Sequence, residues 1–223
     1  MRTLRNSLLS LAILGLAAPA LLAQDLFKYR AFSLGTTLPS VLKLTDQKPV
    51  DVKIIHDRPI LMQELTWWPV NVSNTPTQAQ SVERVVFSFY SGDLYKISVS
   101  YDRRATQGLT ADDMIQRMTA MYGSPTTTAS DTKSTKDDRF DSKQKIIATW
   151  ADSLYSSNLV RTSSEEFGLI ILTKARNAQA ESADAEAIAL DEQERPQREA
   201  AQLKKDDADL EITRQKNKKA FQP

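Results

Sequence analysis

The sequence predicts an α+β protein: an antiparallel sheet with two helices packed on one face, followed by a helical or disordered C-terminal tail. Three observations carry that prediction. From Ala31 to about Lys174, period-two apolar runs alternate with helical periodicity. Turn residues such as Ser91-Gly92-Asp93 separate neighbouring runs, which favours hairpins and antiparallel pairing. Past Ala175 the composition shifts abruptly: residues 176–223 hold ten alanines, no glycine, 11 acids and 9 bases. Ile188, Leu190, Leu203, Leu210, Ile212 and Phe221 are the larger apolar residues there, too few to bury a core. The chain therefore divides into residues 1–23, an α+β domain over 24–175 and a charged tail over 176–223.

Residues 1–23 have the layout of a secretory signal peptide. Arg2 and Arg5 precede an apolar run from Leu8 to about Leu22, with small residues at Ala18, Ala20 and Ala23. Cleavage after Ala20 fits the small-x-small rule, and cleavage after Ala23 fits the end of the apolar run. The run is short for a membrane span and is interrupted by Pro19. The expected destination is the periplasm or the cell exterior. Removal takes two arginines and no acids, so 29 basic residues become 27 against 28 acids, and the net charge moves from +1 to −1. That balance gives no electrostatic case for nucleic acid. With no cysteine in an exported chain, stability must come from packing and not from disulfides.

A first short helix is expected in "GTTLPSVLK" from Gly35, capped at Thr37 and apolar at Val41 and Leu42. Strands follow at Val52–Ile55 and Ile60–Trp68. The single histidine, His56, lies in "IIHDRP" between them and reads as part of a polar turn. Next comes a hairpin: Val85, Phe87 and Phe89 alternate on one strand, and Tyr95, Ile97, Val99 and Tyr101 on the other. For both sets to share a face, Phe89 must oppose Tyr95 and Phe87 must oppose Ile97. That register needs an odd loop around Gly92; a two-residue turn would need a compensating bulge. The second face, with Ser88, Lys96, Ser98 and Ser100, is expected to be largely wet.

The second helix has a local reason for each conspicuous residue. Thr110 is placed as N-cap, Asp112 and Asp113 in the first turn, and Leu109 as a staple against Met114. Met114, Ile115, Met118, Met121 and Tyr122 form one apolar stripe, which Gly123 and Pro125 end. Residues 126–144 read as a polar loop. Its Asp131, Asp137, Asp138 and Asp141 match no EF-hand spacing and read as solvated. Strands are expected at Lys145–Asp152, Leu154–Thr162 and Phe167–Thr173. In the tail, Pro196 is expected to separate two helical segments. Leu203 and Leu210 are a heptad apart, but Pro196 and Asn217 at the adjoining positions spoil a coiled coil.

"GTTLPSVLK" aligns with "GLTADDMIQ" at an offset of 73, and each is followed by a Thr-Trp pair, Thr66-Trp67 and Thr149-Trp150. The offset predicts two copies of a helix-then-three-strands unit, over residues 31–103 and 104–175. Gly108, Thr110, Met114, Gly123, Pro125 and Trp150 resemble the SmpA/OmlA outer-membrane assembly domain, and a tandem of such units resembles the β-lactamase-inhibitor-protein fold. The likeness covers roughly Gly35 to Thr173. The lipid-anchoring cysteine of the first family is absent, and the first copy has no clear Gly-x-Pro stop. The resemblance implies binding to envelope or extracellular proteins without catalysis, and transfers no particular site.

Absences bound the chemistry. No cysteine and one histidine rule out thiol nucleophiles, cysteine zinc sites and histidine-cluster metal sites. No G-x-S-x-G or G-x-G-x-x-G occurs. The sequence calls for no cofactor and no metal, and offers no catalytic residue. It reads as an exported, non-enzymatic binding or envelope-interaction protein. The alternatives are a carboxylate- or Ser-Lys-based hydrolase, which needs a polar cleft with converging groups, and a carrier of a small apolar ligand, which needs a closed apolar cavity. Trp67, Trp68 and Trp150 are the candidate contact residues. As neighbours on one strand, Trp67 and Trp68 must point to opposite faces.

Overall fold

The computed structural model describes residues 25–69, 81–128, 144–162 and 164–222, so residues 1–23, read as a signal peptide, and the four loop aspartates lie outside the described residues. A two-residue-per-strand hairpin, β1 (Lys28–Tyr29) and β2 (Phe32–Ser33), precedes helix α1 (Leu38–Thr45). After a 3-10 turn come β3 (Val52–His56), β4 (Met62–Trp67), β5 (Val82–Tyr90) and β6 (Asp93–Tyr101). Two helices follow, the short α2 (Arg103–Thr106) and α3 (Ala111–Tyr122). The chain then forms β7 (Thr127–Thr128), β8 (Lys145–Ala151), β9 (Tyr155–Arg161) and β10 (Phe167–Thr173), and ends in α4 (Lys174–Ala220). The eight larger-sheet strands run in the order β3-β4-β5-β6-β10-β9-β8-β7, every neighbouring pair antiparallel.

One face of this sheet holds the main core. Val41 and Leu42 of α1 and Met114, Met118 and Tyr122 of α3 pack over Leu65, Val85, Phe87, Ile97, Val99, Leu159, Leu169 and Ile171. Tyr29 and Phe32 of the small hairpin join them. Each fully buried aliphatic or aromatic side chain here contributes about 1.5–3 kcal/mol. The α3 signals act as expected: Asp113 N–H donates to Thr110 Oγ1 at 3.2 Å, while Thr110 N–H donates back to Asp113 Oδ2 at 2.8 Å. The hydroxyl of Thr110 also donates to Asp113, which holds that carboxyl below its ordinary range. Met121 departs from the expected stripe and is 60% exposed, because Tyr122, one turn on from Met118, takes the sheet-facing position.

The β5–β6 hairpin corrects the expected register near its turn. Phe87 opposes Ile97 and Val85 opposes Val99, as the alternation requires. Tyr90 pairs with Asp93, so the loop is the two-residue turn Ser91-Gly92, and the register shifts between Ser88 and Phe89. Both turn residues have positive φ, 52° and 87°, a geometry that matches strand twist and that glycine adopts without strain. The bulge sets Leu94, not Tyr95, opposite Phe89. Leu94 enters the main core, and Tyr95 turns to the other face.

That other face is not wet, which corrects the second expectation. Ser88, Lys96 and Ser98 are all buried. Ala180 and Ala183 of α4 pack with Met62 and Tyr95, with Ile55 and Tyr90 at the margin. Ala180, Ala183 and Ala187 are the buried residues of this helix. Their spacing of three and four places them on one side, where small side chains let the helix axis approach the sheet closely. The helix also runs unbroken through Pro196, where two segments were expected.

Candidate functional site

The three candidate contact residues fall in three different environments. Trp67 is half-buried against the main core, its ring centroid 5.6 Å from that of Phe32. Trp68, the next residue, lies just past the end of β4 and is 57% exposed. Trp150 is fully buried: its indole Nε1 donates to the Gly123 carbonyl at 2.7 Å, and its ring lies 6.1 Å from that of Tyr122. Trp150 thus fastens the end of α3 to β8 and offers no surface to a partner, whereas Trp68 does. Burial pushes the Tyr122 hydroxyl up to about 12.

The long helix α4 provides a second feature, which comes from residues distant in sequence. At the β3 end of the sheet, His56 Nε2 lies 2.7 Å from Asp184 Oδ1. Arg58 donates from Nη1 to Glu194 Oε1 at 2.7 Å and from Nη2 to the second carboxylate oxygen, a forked pair, with Asp191 3.8 Å away. The guanidinium holds the Glu194 carboxyl below its ordinary range, and the same bond raises Arg58. Arg198 continues the chain of charges, donating to both the carboxylate and the backbone carbonyl of Asp191 just before Pro196. Near the start of the helix, Arg176 stacks over Tyr90 with 5.2 Å to the ring centroid. His56 therefore works as a polar anchor for α4.

Beyond this clamp the helix packs on none of the described residues. Every residue from Arg195 to Gln222 is exposed. The 24 residues of α4 past Pro196 extend roughly 36 Å at 1.5 Å per residue. Leu203, Leu210 and Phe221 are 64%, 68% and 76% exposed. At 100° per residue, spacings of seven and eleven put these three within about 20° of one another around the axis. By sequence Leu203 and Leu210 start a heptad that Asn217 breaks; the later position at Phe221 restores a stripe with an eleven-residue step.

Among the described residues, no group of three or more His, Asp or Glu could hold a metal ion. No described helix is long and apolar enough to cross a membrane. Comparison with protein-family models, curated proteins and solved structures finds no match.

Proposed function

We propose that this chain is an exported, non-enzymatic binding module of the cell envelope or extracellular space that engages a protein partner through the free half of α4. The observation that carries this reading is the exposed stripe of Leu203, Leu210 and Phe221 on the part of α4 past the clamp, where every described residue is exposed. A helix so polar gains little from burial within its own domain, and an isolated apolar line on it suits a groove in another protein. Trp68, exposed on the globular part, is a second anchor of the type favoured at interfaces. The leader-like residues 1–23 and the resemblance to SmpA/OmlA-like domains support the envelope setting.

Within this reading the domain is a tandem of two units, over residues 31–103 and 104–175. Gly35 and Gly108 have matching φ values of 83° and 81°, Thr37 and Thr110 are the N-caps of α1 and α3, and Val41 and Met114 are buried. Thr66-Trp67 lies in β4 and Thr149-Trp150 in β8, at mirrored places in the strand order.

Crosslinking and pull-down with the full chain, from envelope or culture fluid, tests the reading. A specific protein should be recovered with the native chain and lost with Leu203→Asp/Leu210→Asp. Equal recovery with that variant would remove α4 from the interface, and turnover of a substrate with no partner recovered would overturn the binding-module reading.

A further inference from the structure

We propose that a cleft between α2 and the β9–β10 connection binds a small polyanion, a molecule carrying phosphate or carboxylate groups. A cavity of about 440 Å³ opens there, within the size range of small-molecule sites. Arg103, Arg104 and Arg161 line it together with the single carboxylate of Glu165, so three guanidiniums face one acid. The hydroxyl-bearing Thr106 and Ser164 and the backbone of Gly108 complete the polar wall.

The charges here are arranged for a ligand more than for the fold. Arg161 is fixed in place, its guanidinium 4.6 Å above the Phe167 ring and its Nε 3.0 Å from Glu165. Arg103 and Arg104 form no ion pair among the described residues. The acid next to them in sequence, Asp102, is occupied as the α2 cap, accepting from the Ala105 N–H at 2.9 Å. In a chain whose 28 acids nearly balance its 29 bases, two adjacent unpaired arginines beside a cavity are a local excess of positive charge. Like charges so placed repel, and a multiply charged anion relieves that repulsion while accepting forked, charge-assisted hydrogen bonds. Phosphate and carboxylate present the same pattern of oxygens to a guanidinium, so the recognising chemistry is shared.

Isothermal titration of the full chain at low salt, with pyrophosphate and citrate as separate probes, tests the site. Saturable binding to at least one probe is expected, and the probe preferred identifies the phosphate or the carboxylate source. Arg103→Gln/Arg104→Gln should weaken binding at least about tenfold, the loss of charge-assisted bonds. Those side chains are exposed and leave the core untouched, so unchanged thermal unfolding should accompany the loss. Lys216→Gln/Lys218→Gln/Lys219→Gln, in the basic end of α4, should bind as the native chain does. The proposal is overturned if neither probe saturates by about 10 mM, a free energy of only about 3 kcal/mol, if the double arginine variant binds equally, or if the α4 variant is the one that loses binding.

Discussion

The two faces of the sheet are covered by different physics. On one, α1 and α3 bury aromatic and aliphatic side chains in a continuous core that includes Phe87, Ile97, Trp150 and Leu169. On the other, α4 offers alanines to Met62 and Tyr95 and is held at its edge by ion pairs and hydrogen bonds through His56 and Arg58. The first face removes large apolar areas from water and so stabilises the domain itself. The second buries little area per helical turn, and its charged contacts are partly exposed, where such pairs contribute modestly and are screened by salt. A sheet can thus carry one helix pair as its core and another helix as an attachment.

Four substitutions and one change of pH separate the two faces, and the largest effect belongs to the main core. Trp150→Ala should cost about 3–5 kcal/mol in denaturant unfolding, because it empties a fully buried site and strands the Gly123 carbonyl. A loss below about 1 kcal/mol would mean that the α3 face does not dominate stability. Ala183→Asp, which drives a carboxylate against Met62 and Tyr95, should cost about 2 kcal/mol or undock α4. Rapid amide exchange and protease cleavage over residues 174–194, with the sheet still protected, would show that the attachment detaches separately. Cooperative loss of both faces would show that it does not. Thr110→Ala, which removes the α3 cap, should cost about 1 kcal/mol by thermal unfolding.

The smallest effect is one of pH. Glu194 is depressed by its bond to Arg58, so its contribution to docking is present above the ordinary glutamate range and lost as pH falls through its lowered value. Exchange at the β3 end of α4 should therefore quicken at strongly acid pH and not near neutrality. Arg58→Gln should remove that pH dependence while leaving the main core unaltered.

The same contrast explains how much was legible in the sequence. The α3 face was legible because its signals are local: Thr110, Asp113, Leu109 and Gly123 lie in or beside one helix, and Val85, Phe87 and Phe89, like Ile97 and Val99, recur at every second residue. The register near the turn was not, because Leu94 and Tyr95 are adjacent and apolar, and either could oppose Phe89. The turn geometry at Ser91-Gly92 decided it. Docking of α4 was illegible because alanine gives a weak hydrophobic signal and because its polar anchors are far away in sequence. Asp184 is 128 residues from His56, and Glu194 is 136 from Arg58. Strand alternation separates Trp67 from Trp68 without saying which is buried; the end of β4 at Trp67 is what leaves Trp68 exposed. That Trp150 lies deep in the core depended on where β8 falls beneath α3, which no local pattern encodes.

The unbroken helix past the Arg58 clamp also fixes a distance. Because the segment from Pro196 to Ala220 is helical and not a loose tether, its length scales with residue number and not with the square root of it. A partner of the kind proposed, held at Phe221, would sit roughly 40 Å from the Glu194 clamp, at a spacing that deletion of whole helical turns would shorten by about 5.4 Å each. The free half of α4 is in this sense a ruler, and its reading is written in the count of residues between proline and phenylalanine.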